Sequence, residues 1–183
     1  MFDSGIAFPA AHIEGQIFYR SDLKIPYIWN GTAWVNVFDV PIIDRCRVYM
    51  SADVSIPNNI ATRINFDLED YDGNDMHDNV INCSRITIKS SGYYLVVGQS
   101  FWDVGGTGSR YQMIFDDTPR ILCAKEEYWT HQAGNASVLN ASAVVYLAAG
   151  KYVTLQVLQN TGAALNLAGT INGSWLSVIK LSD

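Results

Sequence analysis

The chain is short of the groups from which most catalytic and cofactor sites are assembled. It has three histidines, His12, His77 and His131, and none has a second ligand at His-x-x-x-His or His-x-x-Glu-His spacing, so a zinc site and a histidine-based triad both lack their parts. The three cysteines, Cys46, Cys83 and Cys123, lie far apart with no Cys-x-x-Cys pair, which reads as free thiols of a protein interior. There is no Gly-x-Ser-x-Gly elbow and no phosphate-binding Gly-x-x-x-x-Gly-Lys-Ser/Thr loop, so Gly105-Gly106-Thr107-Gly108-Ser109 reads as a loop tip. Adjacent carboxylates such as Asp116-Asp117 and Glu126-Glu127 read as solvated edge residues, and with no set of catalytic roles filled the chain reads as a non-enzyme. Basic residues are scarce too. The 12 Lys and Arg against 18 Asp and Glu leave a net charge of -6, which repels polyphosphates and anionic lipid and excludes nucleic acid as a partner. No apolar run approaches the ~20 residues that cross a bilayer, so membrane insertion is not expected. The first residues carry no basic stretch followed by an apolar one, and the expectation is a protein made in a cytoplasm with no signal peptide.

What the chain does have is apolar side chains in alternation. Hydrophobic residues make up 49% of it and charged ones 16%, enough for a sizeable core. From Cys46 onward, short apolar alternations are separated by turn residues and no helical period emerges, so the fold class is all-β. Strands are expected at Arg45–Met50, Thr62–Phe66, Ser84–Ile88, Gly92–Phe101, Arg110–Phe115, Arg120–Glu126, Ser137–Leu147, Tyr152–Gln159 and Ser174–Leu181. Ala148-Ala149-Gly150-Lys151 reads as a turn joining two of these as a hairpin. In Tyr152–Gln159, Val153, Leu155 and Val157 share one face, as expected of a strand with one face in a core. In Gly92–Phe101 both faces are apolar: Tyr93, Leu95, Val97 and Phe101 on one, Tyr94 and Val96 on the other. A sandwich offers one inner face, so the second asks for a partner chain.

Phe66, the Tyr71-Asp72 pair, Gly92 with Tyr94 two residues on, Gly150 with Val153 after it, and the terminal string Gly173-Ser174-Trp175-Leu176-Ser177-Val178-Ile179 together resemble the complement C1q/tumour-necrosis-factor family over roughly Arg45 to Leu181. The resemblance implies a jelly-roll β-sandwich of two antiparallel sheets at residues 45–183. It also implies a homotrimer, because the strand matching Gly92–Phe101 lies on the inner sheet around a threefold axis, with Tyr93, Tyr94 and Val96 as interface residues. The family's closing Phe-Ser-Gly-Phe string is replaced here by Trp175-Leu176-Ser177-Val178, so the receptors of vertebrate members do not carry over.

Residues 1–40 form a separate aromatic, turn-rich segment. Asn30-Gly31 between Trp29 and Trp34 is a strong hairpin signal, because both residues tolerate the positive φ of a type I′ turn, and Tyr27 to Val37 is expected to be a hairpin. Phe8-Pro9, Gly15-Gln16, the run Phe18 to Leu23 and the hairpin Trp29 to Trp34 resemble a short module of phage virion proteins. That resemblance implies an attachment segment with Phe18, Tyr19, Trp29 and Trp34 as its anchors and other virion proteins as its partners.

Two further sites are expected in the jelly roll. Trp102-Asp103 at the start of the glycine loop, and Tyr128, Trp129 and His131 in a polar stretch, place aromatic faces beside polar tips, a combination that suits a host-surface carbohydrate or protein. The acidic run from Asp67 to Asp78 puts Asp70, Asp72 and Asp75 forward as ligands for Ca²⁺, a hard cation that takes six to eight oxygens, and no other cofactor is expected. The resulting expectation is a non-enzymatic phage virion structural protein, a homotrimeric fibre or decoration protein located in the virion. The rival expectation, a secreted trimeric C1q/TNF-like ligand, is disfavoured by the absence of a signal sequence and of a collagen-like Gly-X-Y stalk.

Overall fold

The computed structural model describes residues 3–10, 13–38, 44–117, 120–131 and 133–183, and the chain divides into two compact units, Met1–Pro41 and Ile42–Asp183. Every regular element among the described residues is a strand.

In the first unit, β1 (Asp3–Gly5), β2 (Ile17–Arg20), β3 (Ile25–Trp29) and β4 (Trp34–Asn36) form one sheet in chain order, with β1 parallel to β2 and the rest antiparallel. The expected hairpin is present, but its loop has four residues and only Gly31 takes a positive φ, +94°. The reason is the Asn30 side chain. Its Oδ1 accepts from the N–H groups of Thr32 (3.0 Å) and Ala33 (2.8 Å), which closes a wider turn than type I′. Register places Phe18 beside Tyr27 and Trp29 beside Trp34, and Phe8 lies parallel to the Trp34 ring at 5.3 Å. These five rings are the unit's own small core, with the Arg20 guanidinium 4.9 Å above Phe8. The expectation that Phe18, Trp29 and Trp34 serve as outward anchors is therefore corrected: they pack on one another. Tyr19, one residue out of phase, faces the other way.

The second unit is a sandwich. Its first sheet is built on β10 (Gly92–Trp102), which pairs along its full length with β13 (Ser137–Leu147) and on its other edge with β16 (Trp175–Ser182); β5 (Arg45–Tyr49) and β8 (Leu68–Asp72) follow β16, while β6 (Val54–Ile56) and β15 (Leu165–Leu167) continue the sheet from Trp102. The second sheet runs β12 (Arg120–His131), β11 (Gly108–Asp117), β14 (Tyr152–Gln159), with β7 (Thr62–Arg63) and β9 (Arg85–Thr87) sharing the far edge of β14. All pairings in both sheets are antiparallel. Ala148–Lys151 does form a turn, with Gly150 at φ +84°, but β13 and β14 enter different sheets, so it carries the chain across the sandwich and makes no hairpin.

Alternation decides which side chains fill the space between the sheets. Tyr94, Val96 and Trp102 of β10, Leu176 and Val178 of β16, and Cys46 and Val48 of β5 meet Ile114 of β11 and Val153, Leu155 and Val157 of β14. Burial pushes the Cys46 thiol pKa up, which suits a side chain used as a small apolar filler. Trp102 is fully buried. β10 extends one residue past the expected end, and the two-residue phase that buries Tyr94 and Val96 brings Trp102 inward as well.

One end of the core is closed by Asp44, just before β5. Its buried carboxylate accepts from Asn74 Nδ2 (2.6 Å), from the Ser90 N–H (3.0 Å) and hydroxyl (2.6 Å), and from the Tyr94 hydroxyl (2.8 Å). Burial pushes its pKa up, but the hydrogen bonds from Ser90, Asn74 and Tyr94 outweigh it and hold the carboxyl below the usual range. Because the folded-state pKa is depressed, Asp44 stabilises fully above the ordinary carboxylate pKa of ~3.9, and that contribution is lost as pH falls through the lower, folded value. Asp44→Asn is expected to cost about 2–3 kcal/mol at neutral pH and to flatten the acid limb of stability against pH. Urea unfolding of both proteins between pH 7 and pH 3 would check this, and identical acid limbs would place the acid sensitivity elsewhere.

Candidate functional site

The side of the first sheet that turns away from the core is apolar as well. Tyr93, Leu95, Val97 and Phe101 of β10 stand opposite Tyr146, Val144, Ser142 and Val138 of β13. Of these, Tyr93, Val138, Val144 and Tyr146 are strongly exposed, Val144 to 59%, and the Tyr93 and Tyr146 rings meet edge to face at 5.4 Å. Across the other edge of β10 the same face continues through Ile179, Ser177 and Trp175 of β16 to Arg45, Arg47 and Tyr49 of β5. Arg47 lies 4.5 Å over the Trp175 ring, bonds the Ile171 carbonyl and pairs with Asp70 at 3.0 Å, while the Tyr71 and Ser177 hydroxyls are 3.1 Å apart. The face thus grades from apolar on β13 and β10 to ring-and-guanidinium on β16 and β5.

This corrects the interface expected from sequence. Tyr94 and Val96 are fully buried in the chain's own core, and only Tyr93 of the three lies on the outer face. The alternation was legible, but the phase was not, because both halves of Tyr93–Val97 are apolar. Val138, Val144 and Tyr146, which sequence reasoning missed, had a signal available: they are every second large residue in Ser137–Leu147 and alternate with Leu139, Ala141 and Leu147, which are buried.

The expected ligand residues do not assemble as one loop surface. Trp102, being buried, presents no indole face to solvent, so its assignment as a ligand contact is corrected. Asp103 is exposed, with its N–H bonded to the Asn166 carbonyl at 2.9 Å. The stretch expected to be a polar loop after Glu126 belongs to β12, where His131 pairs with Gly108 and Tyr128 with Arg110. Tyr128 is half exposed on that strand, and the side chains of Trp129 and His131 lie outside the described residues.

The acidic run is held by its own loop. Asp72 Oδ1 accepts from the N–H groups of Asn74 and Met76, and Oδ2 from the N–H of His77 at 2.8 Å, so this carboxylate organises the backbone. Asp70 is paired with Arg47, and Asp75 is an exposed residue at φ +49°. Asp70 and Asp72 are therefore engaged separately, and Asp75 lies exposed in the bend that follows β8. No group of three or more His, Cys, Asp or Glu side chains among the described residues is placed to hold a metal ion, which corrects the set Asp70, Asp72 and Asp75. Asp70 meets Arg47 across the β5–β8 pair, Asp72 turns its carboxylate to the backbone of its own turn, and Asp75 lies in the bend beyond the strand.

A second apolar surface belongs to the first unit. Ile17, Tyr19, Pro26 and Val37, with Ser4, line a groove of about 490 Å³ on the side of the sheet opposite the five-ring core. Only Tyr19 of the four expected attachment residues contributes to it.

No protein-family model and no curated protein matches the chain. Solved structures do. The chain is similar to Eiger TNF from S. frugiperda, at 15% identity and a TM-score of 0.55 over 78% of this chain and 95% of that one. It is also similar to murine APRIL at pH 8.0, at 14% identity and a TM-score of 0.56 over 76% and 99%. At such identities the likeness speaks for architecture alone, and with the two antiparallel sheets described above it makes the fold an all-β, TNF-like jelly roll.

Proposed function

We propose that the chain is a non-enzymatic structural protein of a phage particle, a homotrimer that displays TNF-like jelly rolls and is anchored by its N-terminal unit. The observation that carries the self-association is the outer face of β13, β10 and β16. Its aromatic and branched side chains cover both sides of a central strand, and exposure of so continuous an apolar face in an isolated subunit is costly. Three copies arranged with these faces inward bury them, in keeping with the C1q/TNF resemblance. The particle context rests on the resemblance of Phe8 to Trp34 to virion modules, and the virion is the location it implies. The reading calls on no cofactor.

The attachment surface in this reading is the open face of the first unit, Ile17, Tyr19, Pro26 and Val37, because the rings on the other face are already packed. The outward end of the trimer would contact host-surface glycan or protein through the neighbourhood of Asp103 and Tyr128, with Trp129 and His131 in the same strand. Three weak sites on one particle component gain strength by acting together.

The trimer is tested by mass in solution. At micromolar concentration, light scattering is expected to give three times the chain mass, with roughly 2,000 Å² or more buried per interface, and Val144→Asp to give a folded monomer. A wild-type protein of monomer mass overturns the proposal. Attachment is tested by particle incorporation. Tyr19→Asp combined with Val37→Asp is expected to leave a folded trimer that is missing from purified particles, and normal incorporation would exclude the open face as the docking surface. Adhesion is tested by adsorption of purified trimer to host cells. Tyr128→Ala is expected to reduce adsorption at least several-fold, and equal adsorption would remove β12 from the contact.

A further inference from the structure

We propose that the interior of the jelly roll at the Trp102 end is a binding site for a small inorganic anion, chloride in ordinary media, with Arg110 as its cationic anchor. Arg110 lies on β11 and is fully buried. Its Nη1 donates to the Ser137 hydroxyl at 2.7 Å, while Nε and Nη2 have no partner among the described residues. Ion pairs among the described residues include Arg20 with Asp22, Arg47 with Asp70, Lys125 with Glu127, Lys151 with Asp116 and Lys180 with Asp183, and none of them reaches Arg110, so no described carboxylate pairs with it.

The surrounding polar atoms point to the same ligand. Trp102 Nε1, Ser100 Oγ and Gln112 Oε1 are also buried and unpartnered. Hydrogen bonds and register bring them to one place. Trp102 stands opposite Ser137 in the β10–β13 ladder, and Ser137 is the residue that Arg110 grips; Gln112 Nε2 donates to the Gly98 carbonyl at 2.6 Å; Ser100 lies between Gly98 and Trp102 on the same inward face of β10. Among the described residues this stretch of interior therefore offers free N–H groups from Arg110 and Trp102 and a hydroxyl from Ser100 that can donate or accept, with Gln112 Oε1 as its one acceptor-only atom. It carries one positive charge.

That inventory selects an anion over water. A guanidinium cannot shed its proton to escape burial, and a lone buried charge costs several kcal/mol unless a counter-charge accompanies it. Water could serve Gln112 Oε1 but would leave the charge unbalanced, whereas a halide accepts from several N–H and O–H donors at once and balances it. The loop at Gly105 covers the guanidinium. A side chain on Gly105 would put its Cβ 3.3 Å from Arg110 Nη2 and against the Leu165 side chain, so glycine lets the 103–107 backbone close directly over the guanidinium.

Two measurements on the full chain decide the matter. Crystals grown in bromide are expected to show an anomalous peak within hydrogen-bond distance of Arg110 Nε or Nη2, and density at that place that refines as water, or none, overturns the proposal. Replacing gluconate by chloride at constant pH and ionic strength is expected to raise the melting temperature by roughly 3–6 °C at ten times the dissociation constant. Arg110→Met, if it folds, is expected to lose that rise. Retention of the full rise by the variant overturns the assignment to Arg110, and a bromide peak with no chloride-dependent stability would mark binding at crystal concentration only and overturn it equally. If Arg110→Met does not fold, the bromide map and the wild-type melting series stand as the test.

Discussion

Strand β10 is hydrogen-bonded along both edges, and that leaves it only its two faces with which to interact. One face holds Tyr94, Val96 and Trp102 and builds the core; the other holds Tyr93, Leu95, Val97 and Phe101 and is turned away from the second sheet. The rest of the unit follows from this division. The second sheet supplies Ile114, Val153, Leu155 and Val157 to the inner face, and β13 and β16 repeat the division on either side because cross-strand partners must share a face. A one-residue slip of β10 would exchange the two sets completely, so its register must be pinned. The Asp44 cluster does part of this: Tyr94 can reach Asp44 and the Ser90 carbonyl (2.7 Å) only in the observed phase. Gly92 does another part, since a Cβ there would collide with the Ser182 carbonyl.

The N-terminal unit solves a smaller version of the same problem. Four short strands cannot bury much, and a two-stranded hairpin is marginal by itself, but rings from β2, β3, β4 and the preceding Phe8 gather on one side of the sheet. Stacked and edge-on rings add to their area burial, and Arg20, itself paired with Asp22, lies over Phe8. Packing one side tightly leaves the other side, Ile17, Tyr19, Pro26 and Val37, as the surface with apolar area to spare. In both units, then, most of the residues that looked like anchors in the sequence are internal, while Tyr19 and Tyr93, each one position from an internal ring, face outward.

That pattern explains what could be read from the chain and what could not. A two-residue period identifies a strand and separates its two faces, and on that basis the all-β class and most of the longer strands were legible. It does not say which face is inside when both are apolar, so Tyr94 and Val96 were indistinguishable from Tyr93 until the second sheet was in place. Carrying the period of Tyr94 and Val96 through Gly98 and Ser100 would have turned Trp102 inward, but the glycines that follow suggested a loop. β12 was cut short at Glu126 because Glu127 to His131 is polar and aromatic in composition; pairing with β11, a non-local interaction, overrides that composition. The acidic run misled for a different reason. Asp72 is needed to satisfy three backbone N–H groups of its own turn, a demand that becomes visible only when the chain direction after β8 is known.

The interior of the sandwich is not uniform along its length. Between β14, β9 and β16 it is apolar, but toward the Trp102 end it acquires Ser100, Arg110, Gln112 and Gln159, all buried. Gln159 is satisfied: its amide donates to the Ile56 and Ala163 carbonyls and its oxygen accepts from Thr161, so it ties the end of β6 and the β14–β15 loop to the end of β14. Gln112 bonds the Gly98 carbonyl across the sandwich, at a point where a Cβ on Gly98 would press against Leu155 and Ile114 at 3.0 and 3.2 Å. The absence of a side chain at Gly98 thus leaves room for the second sheet and opens a main-chain carbonyl of β10 to the Gln112 amide. A directional bond at that point fixes how the sheets are offset, which apolar contacts alone, being tolerant of sliding, do not. Apolar burial supplies the driving force of the fold, and this polar seam supplies its alignment; the guanidinium at the end of the seam carries a charge that no described carboxylate balances.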